Sequence, residues 1–581
     1  MRKMVGDSAR FSEVRSAWGG LARLVGSALC LLGCSAELAP PIPAAHPDDE
    51  TPRPGGTLHA AVLADIRSLD PPSISDGIAP AMVELLYSGL VGYDKEGVVA
   101  PDLASRYSID DGGLTYRFYL REGLRFHDGS EVTAKDIERS MRRALHPKSP
   151  NAMRSFYEGI VGFEAFTSGK SERFDGLTTE GKYVFAVRLK APDATFLPLM
   201  ALQSIRPVCP SAGELYSQDW KPCGAGPFKL DRWDHGQMVR LVRHDGFKPA
   251  PSLDAVEFQL NVTLLSQRLK FERGELDVLR DFAQPDLIRF QLDPRWKPYG
   301  VYDAPKQMGG EGMNVEMAPF DNIELRRAVA AAIDRDQYRL VKPGIVVPLT
   351  QPIPPGVKGH DDSLRCQKFD LDAALEHMRR AGYPYDPKTG KGGYPKPIPY
   401  LGYRQSLVEF TSQLLQQQLA RIGIRLELRL VSYSAWLAIS HRPKEVQMSY
   451  QGWNADYSDA SDFTEPLFHS NAINAEDSNN SSFYRNPKLD ALLDEGRREL
   501  VPAKRKTLYD QASELICDEA PWAFTYAVRF FNLRQPYVRG YEPHPFWAFK
   551  VGSAWLDRGS VEHGKRALLS PARTLPREGV R

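Results

Sequence analysis

What this chain has little of bounds it first. Across 581 residues there is almost no net charge: 74 Lys and Arg face 73 Asp and Glu, a formal +1. A general nucleic-acid binder carries a strongly basic face or stripe, so the balance argues against one. Long apolar runs are missing too. The longest, Leu24–Cys34, falls well short of the ~20 residues that a spanning helix requires. There is no Gly-x-x-x-x-Gly-Lys-Ser/Thr loop, no His-Glu-x-x-His, no Gly-x-Ser-x-Gly and no Cys-x-x-Cys. The run Lys388 to Gly393 resembles a phosphate loop only superficially and lies between Pro387 and Pro395, as a flexible loop would. His441, His469 and His544 have no close partner at metal-ligand spacing, and Asp110-Asp111 and Asp361-Asp362 sit in turn-like sequence. No enzyme, metal or cofactor is expected. With 42% hydrophobic and 25% charged residues, the composition is that of a folded protein of three to five domain-sized units.

Cysteine is scarce, and its placement is informative. Cys30 and Cys34 end the apolar run, which follows Arg15 and Arg23 and precedes Pro40, Pro41, Pro43, Pro47, Pro52 and Pro54. A basic flank, a short apolar core and a Pro-rich exit form an export-signal pattern rather than a buried helix. Leu31-Leu32-Gly33-Cys34 resembles a bacterial lipobox, which implies a signal peptide over 1–33 and acylated Cys34 as the mature N-terminus. The expected location is the extracytoplasmic side of the cell envelope, held to the membrane by lipid. Residues 34–55 then read as a Pro/Ala-rich tether, and 556–581 as a disordered tail. Four cysteines remain for an oxidising compartment: Cys209, Cys223, Cys366 and Cys517. Cys209 and Cys223 enclose a short loop and are the first choice of pair. Cys366 with Cys517 follows by elimination, with buried free thiols as the alternative.

The body mixes strand and helix patterns. Thr115 to Leu120 and Ile424 to Leu430 alternate in polarity as half-buried strands do. Helices are expected after caps at Asp321 and Asp370, and Pro487 and Pro502 fit first helical turns. Between Tyr433 and Tyr484, aromatic residues (Tyr433, Trp436, Tyr450, Trp453, Tyr457) interleave with amides and hydroxyls, as in a ligand pocket or an α/β core.

Several segments then stand out: Ser68-Leu69-Asp70-Pro71, Pro101-Asp102-Leu103-Ala104 and the block from Gly113 through Phe126-His127-Asp128-Gly129 to Asp136. Gly224-Ala225-Gly226-Pro227-Phe228, the stretch Pro319 to Arg335 and Gly452-Trp453-Asn454-Ala455-Asp456-Tyr457 follow. Together and in this order they resemble the periplasmic oligopeptide-binding proteins, the family 5 substrate-binding components of ABC importers. The resemblance implies an α/β, two-lobed hinged periplasmic-binding-protein fold (class II type) with an extra subdomain inserted in lobe one. Lobe one would take 56–100, 206–308 and 519–555, the insertion 101–205, and lobe two 309–518. The crossings would fall near 308–311 and 520–523.

The resemblance also implies a site. Asp456 would pair with the α-ammonium of a peptide, and Gly452, Trp453 and Asn454 would offer main-chain groups to it. Ser75 and Gly77 would pair with it from lobe one, while Tyr433 and Tyr526 would line pockets. The position where the family's best-known peptide binder carries an Arg for the ligand carboxylate is Tyr450. The implied function is a monomeric solute-binding protein that captures oligopeptides for an ABC permease and its ATPase. Alternatives are the same fold with an oligosaccharide, opine or metal chelate, or a sensor or chaperone without transport.

Overall fold

The computed structural model describes residues 38–74, 77–94, 97–213, 220–364, 366–541, 544 and 551–558. The expected signal peptide, Cys34, Ser75 and residues 559–581 lie outside them.

Three sheets organise the chain. One has four strands in the order Thr57–Ala61, Ala255–Gln259, Met238–Arg243, Phe228–Asp234, parallel at the first pair and antiparallel after it. A second, fully antiparallel, runs Ala104–Asp110, Thr115–Leu120, Val184–Arg188, Leu177–Thr179. It carries the helix Ala134–Leu145, whose start is a Thr133/Asp136 capping box, so the Val132-to-Asp136 signature is a helix N-terminus. The third has six strands: Val346–Pro348, Trp522–Val528, Gln307–Met313, Met448–Asn454, Ile398–Tyr403 and Leu426–Val431. These sheets and the helices packed on them make a mixed α/β architecture.

Local rules explain much of the detail. Asp370 caps Leu371–Arg380 by accepting from the Ala373 N–H at 2.9 Å. The helix expected after Asp321 is capped one residue later, by Asn322, which accepts from the Glu324 N–H at 3.0 Å. Pro487 and Pro502 each open a helix. In the Gly224-Ala225-Gly226 turn, a Cβ on Gly226 would stand 2.5 Å from the Leu85 carbonyl, and one on Gly224 2.3 Å from that of Leu86. The turn lies directly on the end of helix Ala79–Leu86, so only glycine fits.

Cys209 is disulfide-bonded to Cys223, and Cys366 to Cys517.

Three boundary expectations change. The tether read over 34–55 is docked from Leu38 onward: Leu38 is buried, Ile42 N–H donates to Gln535 Oε1 at 3.1 Å, and Ala45 N–H to the Asp557 carbonyl at 2.9 Å. Apolar Leu38, just before the prolines, and Ile42, among them, have a core to enter, which a free tether would not. The tail read from 556 starts later, because Trp555–Leu556 pairs with Val538–Arg539 and the Asp557 carboxylate meets His46 and Arg53 at 2.9 Å each. The strand Trp522–Val528, placed with lobe one by a boundary at 519, pairs with Gln307–Met313 and Val346–Pro348 of the six-stranded sheet. The chain leaves that sheet only at 529–530, before Phe531–Arg534 joins Val278–Leu279 and Gly300–Tyr302.

Candidate functional site

The Met448–Asn454 strand holds most of the expected site, and its two edges differ. One edge pairs along its whole length with Gln307–Met313, from Met448 opposite Met313 to Asn454 opposite Gln307. The other pairs with Ile398–Tyr403 only at Met448 and Ser449. Beyond that point the edge is unpaired by any strand among the described residues. Alternation decides which groups it presents. The Tyr450 carbonyl points to this edge, where Trp436 Nε1 donates to it at 3.1 Å. The Ala455 N–H points the opposite way, donating to the Lys306 carbonyl at 2.8 Å. Gly452 and Asn454, in phase with Tyr450, therefore turn their main-chain groups to the free edge. Trp453 turns its own toward Met308. A main-chain role for Trp453 does not fit this register; it offers its indole, packed half-buried against the core.

The free edge ends at Asp456. Its N–H donates to Asp462 Oδ2 at 2.8 Å, and no side chain among the described residues pairs with its carboxylate. Burial pushes that carboxyl up to about 6. Asp462 is pushed well up as well, first by burial and then by the charge of Asp456. A buried and a half-buried carboxyl group side by side, with no cation facing them among the described residues, form a site that favours a positive group.

At the other end the aromatic residues gather around a cavity of about 500 Å³. Tyr450 and Tyr526 are both buried, with Tyr526 Oη donating to Tyr450 Oη at 3.1 Å. Tyr526 lies flat over Gly309, where a Cβ would come within 2.5 Å of the ring. Tyr403 joins them, its ring 5.6 Å from Tyr450 and 5.2 Å from Tyr433, which is itself 58% exposed at the start of helix Tyr433–Ser440. Phe282, Gln284 and Lys342 line the same cavity. Lys342 forms no salt bridge among the described residues, and burial pulls its amine down from the usual lysine range. Behind this wall Glu311 is wholly buried; its Oε2 accepts from Tyr400 Oη at 2.7 Å, and burial holds the carboxyl up at about 8.

Of the expected residues, Gly452, Asn454 and Asp456 share the free edge and its end, while Tyr450, Tyr526 and Tyr433 share the aromatic end. Gly77 is exposed just before helix Ala79–Leu86, with open space above its Cα; Ser75 lies outside the described residues. Tyr403, Lys342 and Glu311 were missed. The one sequence sign of Glu311 is a lone charge among glycines in Gly309-Gly310-Glu311-Gly312.

A family model described as bacterial extracellular solute-binding proteins, family 5 Middle, matches residues 98–475. The chain belongs to this family. It is 28% identical over 508 residues to the glutathione-binding protein GsiB of Escherichia coli, covering 86% of this chain and 94% of that one. Among solved structures it resembles clavulanic acid biosynthesis oligopeptide binding protein 2, with a TM-score of 0.78, 22% identity, and 89% and 99% of the two chains covered. It also resembles the oligopeptide-binding protein AppA from Bacillus subtilis in complex with a nonapeptide (TM-score 0.65, 22% identity, 87% and 100% covered). As a member of a substrate-binding family, the chain is a solute-binding protein of the ABC importer class rather than an enzyme. Among the described residues no helix is long and apolar enough to cross a membrane.

Proposed function

We propose that this protein captures short peptides between its lobes, in extended form, and delivers them to an ABC permease. The observation that carries this reading is the free edge of Gly452 and Asn454 ending on the half-buried Asp456 carboxylate, which pairs with no side chain among the described residues. A peptide added to that edge exchanges main-chain hydrogen bonds that any sequence can make. Its α-ammonium meets Asp456 in a charge-assisted bond that fixes which end is held. The names of relatives support peptides as the class: one is a glutathione-binding protein, others are oligopeptide-binding proteins.

The far end of the ligand then reaches the aromatic cavity. Tyr450 cannot neutralise a carboxylate there, and Lys342, lining the same cavity, takes that role. The hinge runs through 303–306 and 529–530, where the chain changes sheets and Asp303 and Phe530 bond to each other (Asp303 N–H to the Phe530 carbonyl, 3.1 Å). Lobe one thus comprises 56–100, 206–302 and 531–558, with 101–205 inserted and 307–528 as lobe two. Cys34 carries the lipid, and the protein works as a monomer.

Native mass spectrometry of ligands co-purified with the protein tests the class: peptides are expected, and sugars or a metal chelate alone would overturn it. Lys342→Met should weaken a free-acid peptide at least tenfold and leave its C-terminal amide nearly unaffected. Equal loss for both would remove Lys342 from the site.

A further inference from the structure

The proposed insertion (101–205) and the proposed lobe two (307–528) meet at a small, largely polar contact. Arg497, in the last turn of helix Pro487–Arg498, carries it with both side chain and backbone. Its Nε donates to Asp193 Oδ2 at 3.1 Å and its Nη1 to Glu465 Oε2 at 2.9 Å. Its carbonyl accepts from the Ala194 N–H at 2.8 Å. Two apolar touches flank these bonds. Leu500 lies over Gly113, where a Cβ would come within 2.7 Å of Leu500 Cδ1. The rings of Phe156 and Tyr457 meet edge to face, 6.0 Å apart.

Each side holds its half of the contact ready. Asp193 Oδ1 accepts from the Thr195 N–H and hydroxyl, at 2.8 and 2.6 Å, which leaves Oδ2 for Arg497. Glu465 Oε1 accepts from Tyr509 Oη at 3.2 Å, which leaves Oε2 for Arg497. The nearby Asp459 carboxylate is already taken by Arg505, at 2.6 and 2.7 Å. One guanidinium therefore bridges two carboxylates, one from each side, and both carboxylates keep a hydrogen bond at home when the sides part. The Arg497 side chain is 40% exposed, so water can replace its partners. Domains joined by a contact this small and polar move relative to one another.

The contact is tied to the candidate site through one short helix. Helix Ser461–Phe468 carries Asp462, whose Oδ2 accepts from the Asp456 N–H at 2.8 Å, and three residues later Glu465. Residues three apart share a helix face. Tyr457, which meets Phe156 of the insertion, directly follows Asp456.

We propose that Asp193, Arg497 and Glu465 form an interlobe latch that biases the protein toward its closed form, with Arg497 as the positioning residue. The proposal rests on the lobe assignment given for the function and not on the class of solute.

Hydrogen exchange at the Ala194 amide tests it, because that N–H is bonded across the contact. In full-length protein dialysed free of solute, Ala194 should be less protected than the amides of strand Thr115–Leu120, because it opens with the lobes and not by unfolding. Arg497→Met should lower Ala194 protection about fivefold and leave the Thr115–Leu120 amides unchanged. Asp193→Asn should lower it similarly in the parent and add little in the Arg497→Met background. Ala194 protection equal to that of the strand would mean that the two sides never part, and would overturn the lobe assignment and the latch together. Lower protection that Arg497→Met does not change, or additive effects of the two substitutions, would overturn the latch alone.

Discussion

Asp456 and Glu311 are both carboxyl groups raised by burial, yet they do opposite work. Asp456 pairs with no side chain among the described residues, and in the proposed site only its ionised form would bind an ammonium group. Because its carboxyl is raised to about 6, ligand affinity should fall near tenfold for each pH unit below that value. Titration calorimetry from pH 5 to 8 should show this slope, and Asp456→Asn should bind at least tenfold more weakly with the slope gone. A flat profile in the parent protein would remove Asp456 from the ammonium site. Glu311 is instead shared with Tyr400 and held neutral. A raised folded-state value means that its contribution is complete below the ordinary Glu range and is lost as pH rises toward about 8. Glu311→Gln should therefore gain stability over the parent with rising pH, by ~3 kcal/mol near pH 7 relative to pH 4. Thermal unfolding across that range checks it, and a difference that does not vary with pH would contradict it. Asp456 was legible because its neighbours Gly452 to Tyr457 form a local motif. Glu311 was not, since its partner Tyr400 lies 89 residues away in the chain.

At the scale of elements, the proposed site is a strand with one edge left open among the described residues. Methylating the ligand amide that faces Gly452 or Asn454 removes one donor from the added strand and inserts a methyl group into its path. Affinity should drop five- to thirtyfold for that peptide, and little for one methylated at an amide facing away. Calorimetry with the paired peptides reads the difference, and equal losses would argue against strand addition. The alternating pattern of Thr115 to Leu120 and the cap at Asp370 were readable because period and capping are local. The move of a cap from Asp321 to Asn322 is a one-residue matter of which side chain reaches the free N–H. The open edge had no local sign. It exists because Ile398–Tyr403 diverges after pairing with Met448 and Ser449, and that is decided by the packing of separate segments.

For the whole molecule, the proposed lobes each carry one disulfide, Cys209–Cys223 and Cys366–Cys517. Cys366–Cys517 closes a loop with a sequence separation of 151. Replacing both by Ser should lower stability by ~3–5 kcal/mol, read as a shifted denaturant midpoint, whereas an unchanged midpoint would make the bridge irrelevant to the fold. The Pro-rich stretch misled the sequence reading, because proline content describes a backbone that cannot be helical and says nothing of whether Leu38 and Ile42 find a surface to enter. The order of lobes was carried by the family motifs, while the return crossing at 529–530 became visible only from the pairing of Trp522–Val528.

The central claim is that a peptide is held by its free amino end at Asp456. Its most direct test is calorimetry of one peptide, identified from the co-purified ligands, in free-amine and N-acetylated forms. The account predicts that acetylation weakens binding at least a hundredfold in the parent and only a few-fold in Asp456→Asn. Equal binding of the two forms by the parent protein would contradict it.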